Sequence, residues 1–88
     1  MWLTACEHGD EVLSTASVVE FASHLAPKTV RGKLVAFPVL ASTAFNIKHR
    51  FSPIDSYDFS RKWPGFANGW LSQQVTAKLL DLMVDDAD

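Results

Sequence analysis

Taken in steps of two, residues 34–51 (LVAFPVLASTAFNIKHRF) place Val35, Phe37, Val39, Ala41, Thr43, Phe45, Ile47, His49 and Phe51 on one row, and that row is almost wholly apolar. The other row turns polar toward its end, with Ser42, Asn46, Lys48 and Arg50. A period of two predicts strand with one buried face, because successive side chains on a strand point to opposite sides. The stretch is longer than the five or six residues of an ordinary strand, so it predicts one bent strand or a hairpin. A three-residue loop at Ala41–Thr43 pairs Val39 with Phe45 and Phe37 with Ile47. That loop lacks the expected Gly or Asn, and Pro38 requires an edge or a bulge. Leu40, Ala44, Ile47 and Phe51 also stand at helical spacing, which leaves a helix after Pro38 as the rival; β-branched and aromatic enrichment favours strands.

The flanks read more simply. Met1–Cys6 (MWLTAC) is a short apolar run and predicts a first strand. Glu7–Asp10 suits a turn or a helix start. From Glu11 to Ala26, Val18, Phe21, Ala22 and Leu25 form one helical face, with a capping box at Ser17–Glu20 or an earlier cap at Asp10, and Pro27 as the stop. A basic connector, Pro27–Lys33, leads to the central stretch. After it, Ser52–Asn68 is irregular, with two prolines and four aromatic residues. A last helix follows, capped by Asn68 or Ser72 and striped by Leu71, Val75, Leu79 and Leu82. Asp81, Asp85, Asp86 and Asp88 oppose its dipole and predict a frayed last turn. The fold expected is therefore α+β: a small antiparallel sheet, made of the N-terminal strand and the central hairpin, packed against two helices. An all-α arrangement is the alternative.

At 88 residues the chain is one domain, 1–88, with a small core. Its 48% hydrophobic content leaves apolar surface that favours a protein partner or self-association. Charge is segregated. Residues 1–27 hold four carboxylates and no Lys or Arg; residues 28–62 hold seven cations against Asp55 and Asp58; the remainder is acidic again. A single cysteine, Cys6, excludes an internal disulfide. The longest apolar run, Leu34–Ile47, is too short to span a bilayer, and no leader pattern opens the chain, so a cytoplasmic setting without membrane contact is expected.

Candidate chemistry is sparse. Cys6 and His8 form a C-x-H pair, but structural zinc needs four ligands and no second pair exists, so no metal and no cofactor are expected. Glu20 and His24 read as an exposed i,i+4 pair, and His49 as a core histidine. Asp55, Asp58, Tyr57 and Arg61 cluster in the long loop, where an Asp–Arg pair would pin the chain. The strongest group is aromatic. Trp63, Phe66 and Trp70, rimmed by Arg61 and Lys62, suit an interface anchor. The sequence thus points to a small non-enzymatic interaction protein with no catalytic residue. One alternative is a regulator that binds or mimics nucleic acid, with Lys28, Arg31, Lys33, Lys48 and Arg50 as its basic face. Another is a small-ligand pocket beneath the aromatic loop. No phosphate loop, nucleophile elbow, CxxC pair or HExxH motif is present.

Overall fold

The computed structural model describes residues 1–86. Its elements are β1 (Trp2–Thr4), α1 (Val12–His24), β2 (Val35–Phe37), α2 (Ser42–Asn46) and α3 (Leu71–Asp85), with single 3-10 turns at Pro27–Thr29 and Phe59–Arg61. The α+β class is as expected, but the sheet is not. β1 and β2 pair in parallel, Trp2 against Val35 and Thr4 against Phe37, and no antiparallel hairpin exists among the described residues. The reason is the connection. Parallel strands need a crossover of a dozen residues or more, and α1 with its connector supplies it. The apolar run of β2 ends at Pro38, which cannot extend the ladder.

After Pro38 the helical spacing takes over from the period of two. Leu40, Ala41 and Ala44 are buried and α2 begins at Ser42, so the proposed Ala41–Thr43 loop is helix and its entry. Ile47 and Phe51, on the rival stripe, are exposed instead, and so is His49, which is no core residue. The main core comprises Leu40, Ala41, Ala44, Phe59 and Leu79, with Phe37, Trp63 and Val75 packed against it. On one face of the sheet Trp2 stacks on Phe37, with ring centroids 5.3 Å apart.

α1 starts at Val12, so Ser17 and Glu20 lie inside it and form no capping box. Ser17 Oγ instead donates to the Leu13 carbonyl at 3.0 Å. α3 is capped from elsewhere in the chain. The Asp55 carboxylate accepts from Ser72 N–H at 2.7 Å and from Ser72 Oγ at 2.9 Å, while Gln73 Oε1 accepts from Trp70 N–H at 3.0 Å. At the other end Asp86 accepts from Trp2 Nε1 at 3.0 Å and pairs with Lys33, which ties the helix terminus to the sheet; Asp88 lies outside the described residues. Among the described residues no helix is long and apolar enough to cross a membrane.

Candidate functional site

Parallel strands place their following loops at one end of the sheet, and ligands of such sheets bind there, outside the carboxyl ends of the strands. Here the loop after β1 carries His8 and the segment after β2 carries Arg50, Asp58 and Ser60. The first loop is tightly held. Cys6 adopts a left-handed φ of 56°, its N–H donates to Ser14 Oγ at 3.2 Å, and its thiol donates to the His8 carbonyl at 3.1 Å. Gly9 presses against α2, since a Cβ there would overlap the Ala44 backbone and the His49 carbonyl. These contacts hold the loop on both sides of His8.

His8 itself lies between two carboxylates. His8 Nδ1 lies 2.8 Å from Glu11 Oε1, and His8 Nε2 lies 2.9 Å from Asp58 Oδ1. Asp58 is itself fixed, accepting from Ser60 Oγ at 2.7 Å and Ser60 N–H at 3.1 Å. Arg61 Nε stands 3.6 Å from Asp58 Oδ2, with the arginine side chain 80% exposed. The hydrogen bond to Glu11 raises the His8 pKa above its ordinary value; burial opposes this, Asp58 reinforces it, and the charge of Arg50 works against it. Burial pushes Asp58 up, but the Ser60 hydroxyl and His8 outweigh it and hold the carboxyl below the usual range. Cys6 is buried and its thiol is pushed up by that burial, which disfavours the reactive thiolate.

Glu11 and Asp58 approach opposite ring nitrogens, so the three side chains do not converge on a point. Among the described residues no group of three His, Cys, Asp or Glu side chains is placed to hold a metal ion. His8 and Glu11 are nonetheless an imidazole nitrogen and a carboxylate oxygen on the same side, and both are metal-ligand types.

The aromatic group named from the sequence does not act as one surface. Trp63 turns inward, edge-on to the buried Phe59 at 6.0 Å, whereas Phe66 and Trp70 are exposed. Lys62 lies over the Tyr57 ring at 3.9 Å. The basic residues are similarly dispersed. Lys28 and Arg31 are exposed on the connector, Lys33 is engaged by Asp86, and Lys48 folds back onto the Phe45 carbonyl at 2.9 Å. Arg50 alone of this set acts on His8. His24 reaches the Glu20 carbonyl oxygen rather than its carboxylate. The pocket near the aromatic loop, bordered by Leu40, Thr43, Ser52, Phe59 and Ser72, is about 110 Å³, well below the ~300–1,000 Å³ of ordinary ligand sites. His8 was visible in the sequence only as half of the C-x-H pair. Its partnership with Asp58, fifty positions away, carries no periodic signal; the available clue was His8-Gly9-Asp10-Glu11 directly after an apolar strand.

A buried histidine braced by carboxylates at the carboxyl end of a parallel βαβ unit is an arrangement suited to acid–base or metal-assisted chemistry. Comparison with known proteins finds likeness to enzymes. The N-alpha-acetyl-L-2,4-diaminobutyric acid deacetylase of Halomonas elongata is 26% identical over 86 residues, covering 98% of this chain and 25% of that enzyme. Among solved structures, the succinylglutamate desuccinylase/aspartoacylase of Rhodobacter sphaeroides superposes with a TM-score of 0.89 and 31% identity over 99% of this chain and 27% of its own. The ectoine utilization protein EutE of Ruegeria pomeroyi gives 0.88 and 29%, over 99% and 26%. No family model matches the chain. The chain spans about a quarter of the length of each of these relatives. Likeness to enzymes along nearly the whole chain overturns the expectation of a non-enzymatic interaction protein.

Proposed function

We propose that this chain provides part of the active site of a hydrolase that cleaves the amide bond of an N-acylated amino acid. The observation that carries this reading is the superposition on the Rhodobacter sphaeroides desuccinylase/aspartoacylase at 31% identity, which spans the region where His8 sits between Glu11 and Asp58. Amide hydrolysis needs an activated water, a stabilised oxyanion and a proton for the leaving amine. In the metal-free chain both His8 ring nitrogens face carboxylates; a metal ion bound at Nδ1 would displace the proton shared with Glu11 while Nε2–H stays donated to Asp58. His8 and Glu11 would then hold a divalent metal ion, as two of the three protein ligands of a catalytic zinc site, with the third supplied from beyond these residues. Such an ion, when bound, polarises the acyl carbonyl and acidifies a water. Arg50 and Arg61 are exposed beside this centre, and their guanidinium groups suit the carboxylate that every N-acyl amino acid carries. A cytoplasmic setting belongs to this reading and rests on the single buried cysteine.

The test is a chimera in which residues 1–88 replace the matching quarter of the Rhodobacter sphaeroides protein. Hydrolysis of N-succinylglutamate, N-acetylaspartate and N-acetyl-2,4-diaminobutyrate is followed by release of the free amine. The expected result is turnover of at least one of these, lost in His8→Ala and Glu11→Gln and reduced, chiefly through KM, in Arg61→Ala. A folded chimera that hydrolyses none of them contradicts the reading.

A further inference from the structure

We infer that Ser60 is a positioning residue for this site, whose hydroxyl keeps the Asp58 carboxylate on His8 and away from Arg61. Three hydrogen bonds of that carboxylate converge on one oxygen. Asp58 Oδ1 accepts from Ser60 Oγ at 2.7 Å and from Ser60 N–H at 3.1 Å, and it lies 2.9 Å from His8 Nε2. Asp58 Oδ2 faces Arg61 Nε at 3.6 Å. Charge alone would turn both carboxylate oxygens to the guanidinium, whose planar fork of donors matches them. Two features oppose that turn. The N–H and hydroxyl that grip Oδ1 belong to one residue, set in the 3-10 turn Phe59–Arg61. Arg61 is 80% exposed, and an exposed ion pair is screened and weak.

The hydroxyl does more than close the turn. Asp58 caps the turn through the Ser60 N–H, a bond that any residue but proline at position 60 could donate. Ser60 Oγ adds a second bond to the same oxygen and also lies 3.3 Å from His8 Nε2. A hydroxyl both donates and accepts. With its proton on Asp58, Oγ turns lone pairs to the imidazole, so His8 Nε2–H faces two acceptors that are bonded to each other. Asp58 has only 16% of its side chain exposed, which limits competition from water. Through Oδ1 the hydroxyl thus fixes the His8 ring, and by holding the carboxylate there it leaves the Arg61 guanidinium open to a ligand's carboxylate. That His8 then holds a metal ion and Arg61 a substrate rests on the deacylase reading; the hydrogen-bond arrangement does not.

Nuclear magnetic resonance of the 88-residue chain reads the His8 Nε2–H directly, with His8→Gln assigning the signal. Ser60→Ala, which keeps the backbone N–H, should speed exchange of that proton with water by about tenfold or more. Ser60→Thr, which keeps the hydroxyl, should restore it to within about threefold of wild type. Arg61→Ala alone should leave exchange unchanged. In the Arg61→Ala background Ser60→Ala should cost at most about threefold, because no guanidinium remains to draw the carboxylate away. A hydroxyl that only stabilised the turn would show no such dependence on Arg61, and circular dichroism checks that each variant is folded. In the chimera with the Rhodobacter sphaeroides protein, Ser60→Ala should weaken zinc affinity, read by competition with a chelator, by about tenfold, and Ser60→Thr should recover it. Exchange in Ser60→Ala within about twofold of wild type, no rescue by threonine, or an equal loss with and without Arg61 overturns the inference. Quickened exchange in Ser60→Ala beside a chimera that binds no zinc and hydrolyses nothing supports the role of Ser60 and counts against the deacylase reading. Hydrolysis by the chimera with exchange unchanged in Ser60→Ala does the reverse.

Discussion

Replacing Asp55 with Ala should unfasten the start of α3. In the native chain one carboxylate accepts three hydrogen bonds: Ser72 N–H at 2.7 Å, Ser72 Oγ at 2.9 Å and Tyr57 N–H at 3.2 Å. Ser72 is buried at 3% exposure, so its two donors cannot turn to water. A buried donor left without a partner costs about 1–3 kcal/mol, and loss of an ordinary helix cap costs about 0.5–2 kcal/mol. The Ser72 hydroxyl can rotate in search of a new acceptor whereas its N–H cannot, which brings the expected loss to about 3 kcal/mol. For a domain of this size that lowers Tm by roughly 12–20 °C. Urea titration followed by tryptophan fluorescence reads the change, with Asp85→Ala as an exposed control expected within about 0.5 kcal/mol of the wild type. The effect should also depend on pH. Burial raises the Asp55 pKa, but the Ser72 and Tyr57 hydrogen bonds outweigh it, so the folded value lies below the unfolded one. Its stabilisation is therefore complete above about pH 4 and fades as pH falls through the folded value, where wild type and Asp55→Ala converge. An Asp55→Ala protein within about 0.5 kcal/mol of wild type at neutral pH would refute the cap.

Two further substitutions separate what packs from what is merely apolar. Trp63→Ala should cost about 2–4 kcal/mol because its ring closes the core against Phe59, whereas Trp70→Ala, 66% exposed, should change stability by less than about 0.5 kcal/mol; equal losses in the same urea titration would contradict this division. Gly9→Ala would drive a Cβ into Ala44 and His49, for an expected cost at or above the ~1–3 kcal/mol of ordinary overpacking. Amide exchange across residues 5–11 should quicken with it, and an unchanged pattern would show that this contact does not set the His8 loop.

The sequence was informative where neighbours along the chain decide the structure and silent where distant residues do. The helices after Glu7–Asp10 and before the acidic end were readable from spacing, although α1 begins five residues before the capping box at Ser17. The central stretch misled because Val35 and Phe37 satisfy a strand while Leu40, Ala41 and Ala44 satisfy a helix, and alternating apolar residues across Pro38 concealed the change. Pairing was the larger error. Sequence nearness favours a hairpin, but α1 offered the crossover that lets β1 lie parallel to β2. At the site, the expected Asp–Arg pair did not specify which aspartate; Asp58 stands 3.6 Å from Arg61 yet its shorter contact is with His8, because a pairing across fifty positions exists only once the sheet brings two loops to one end. The aromatic cluster drew attention by composition alone, and packing divides it into an inward Trp63 and an outward Phe66 and Trp70.

The account turns on His8 held between Glu11 and Asp58, and a nuclear magnetic resonance titration of its ring tests this most directly. Hydrogen bonding to Glu11, reinforced by Asp58, raises the folded pKa. The His8 contribution to stability is thus complete below the unfolded value of about 6.5 and is lost as pH rises through the folded value. With His8→Gln assigning the signal among the three histidines, the expected result is a midpoint above about 6.5 that falls in both Asp58→Asn and Glu11→Gln. A midpoint at or below that value, indifferent to either substitution, would contradict the site.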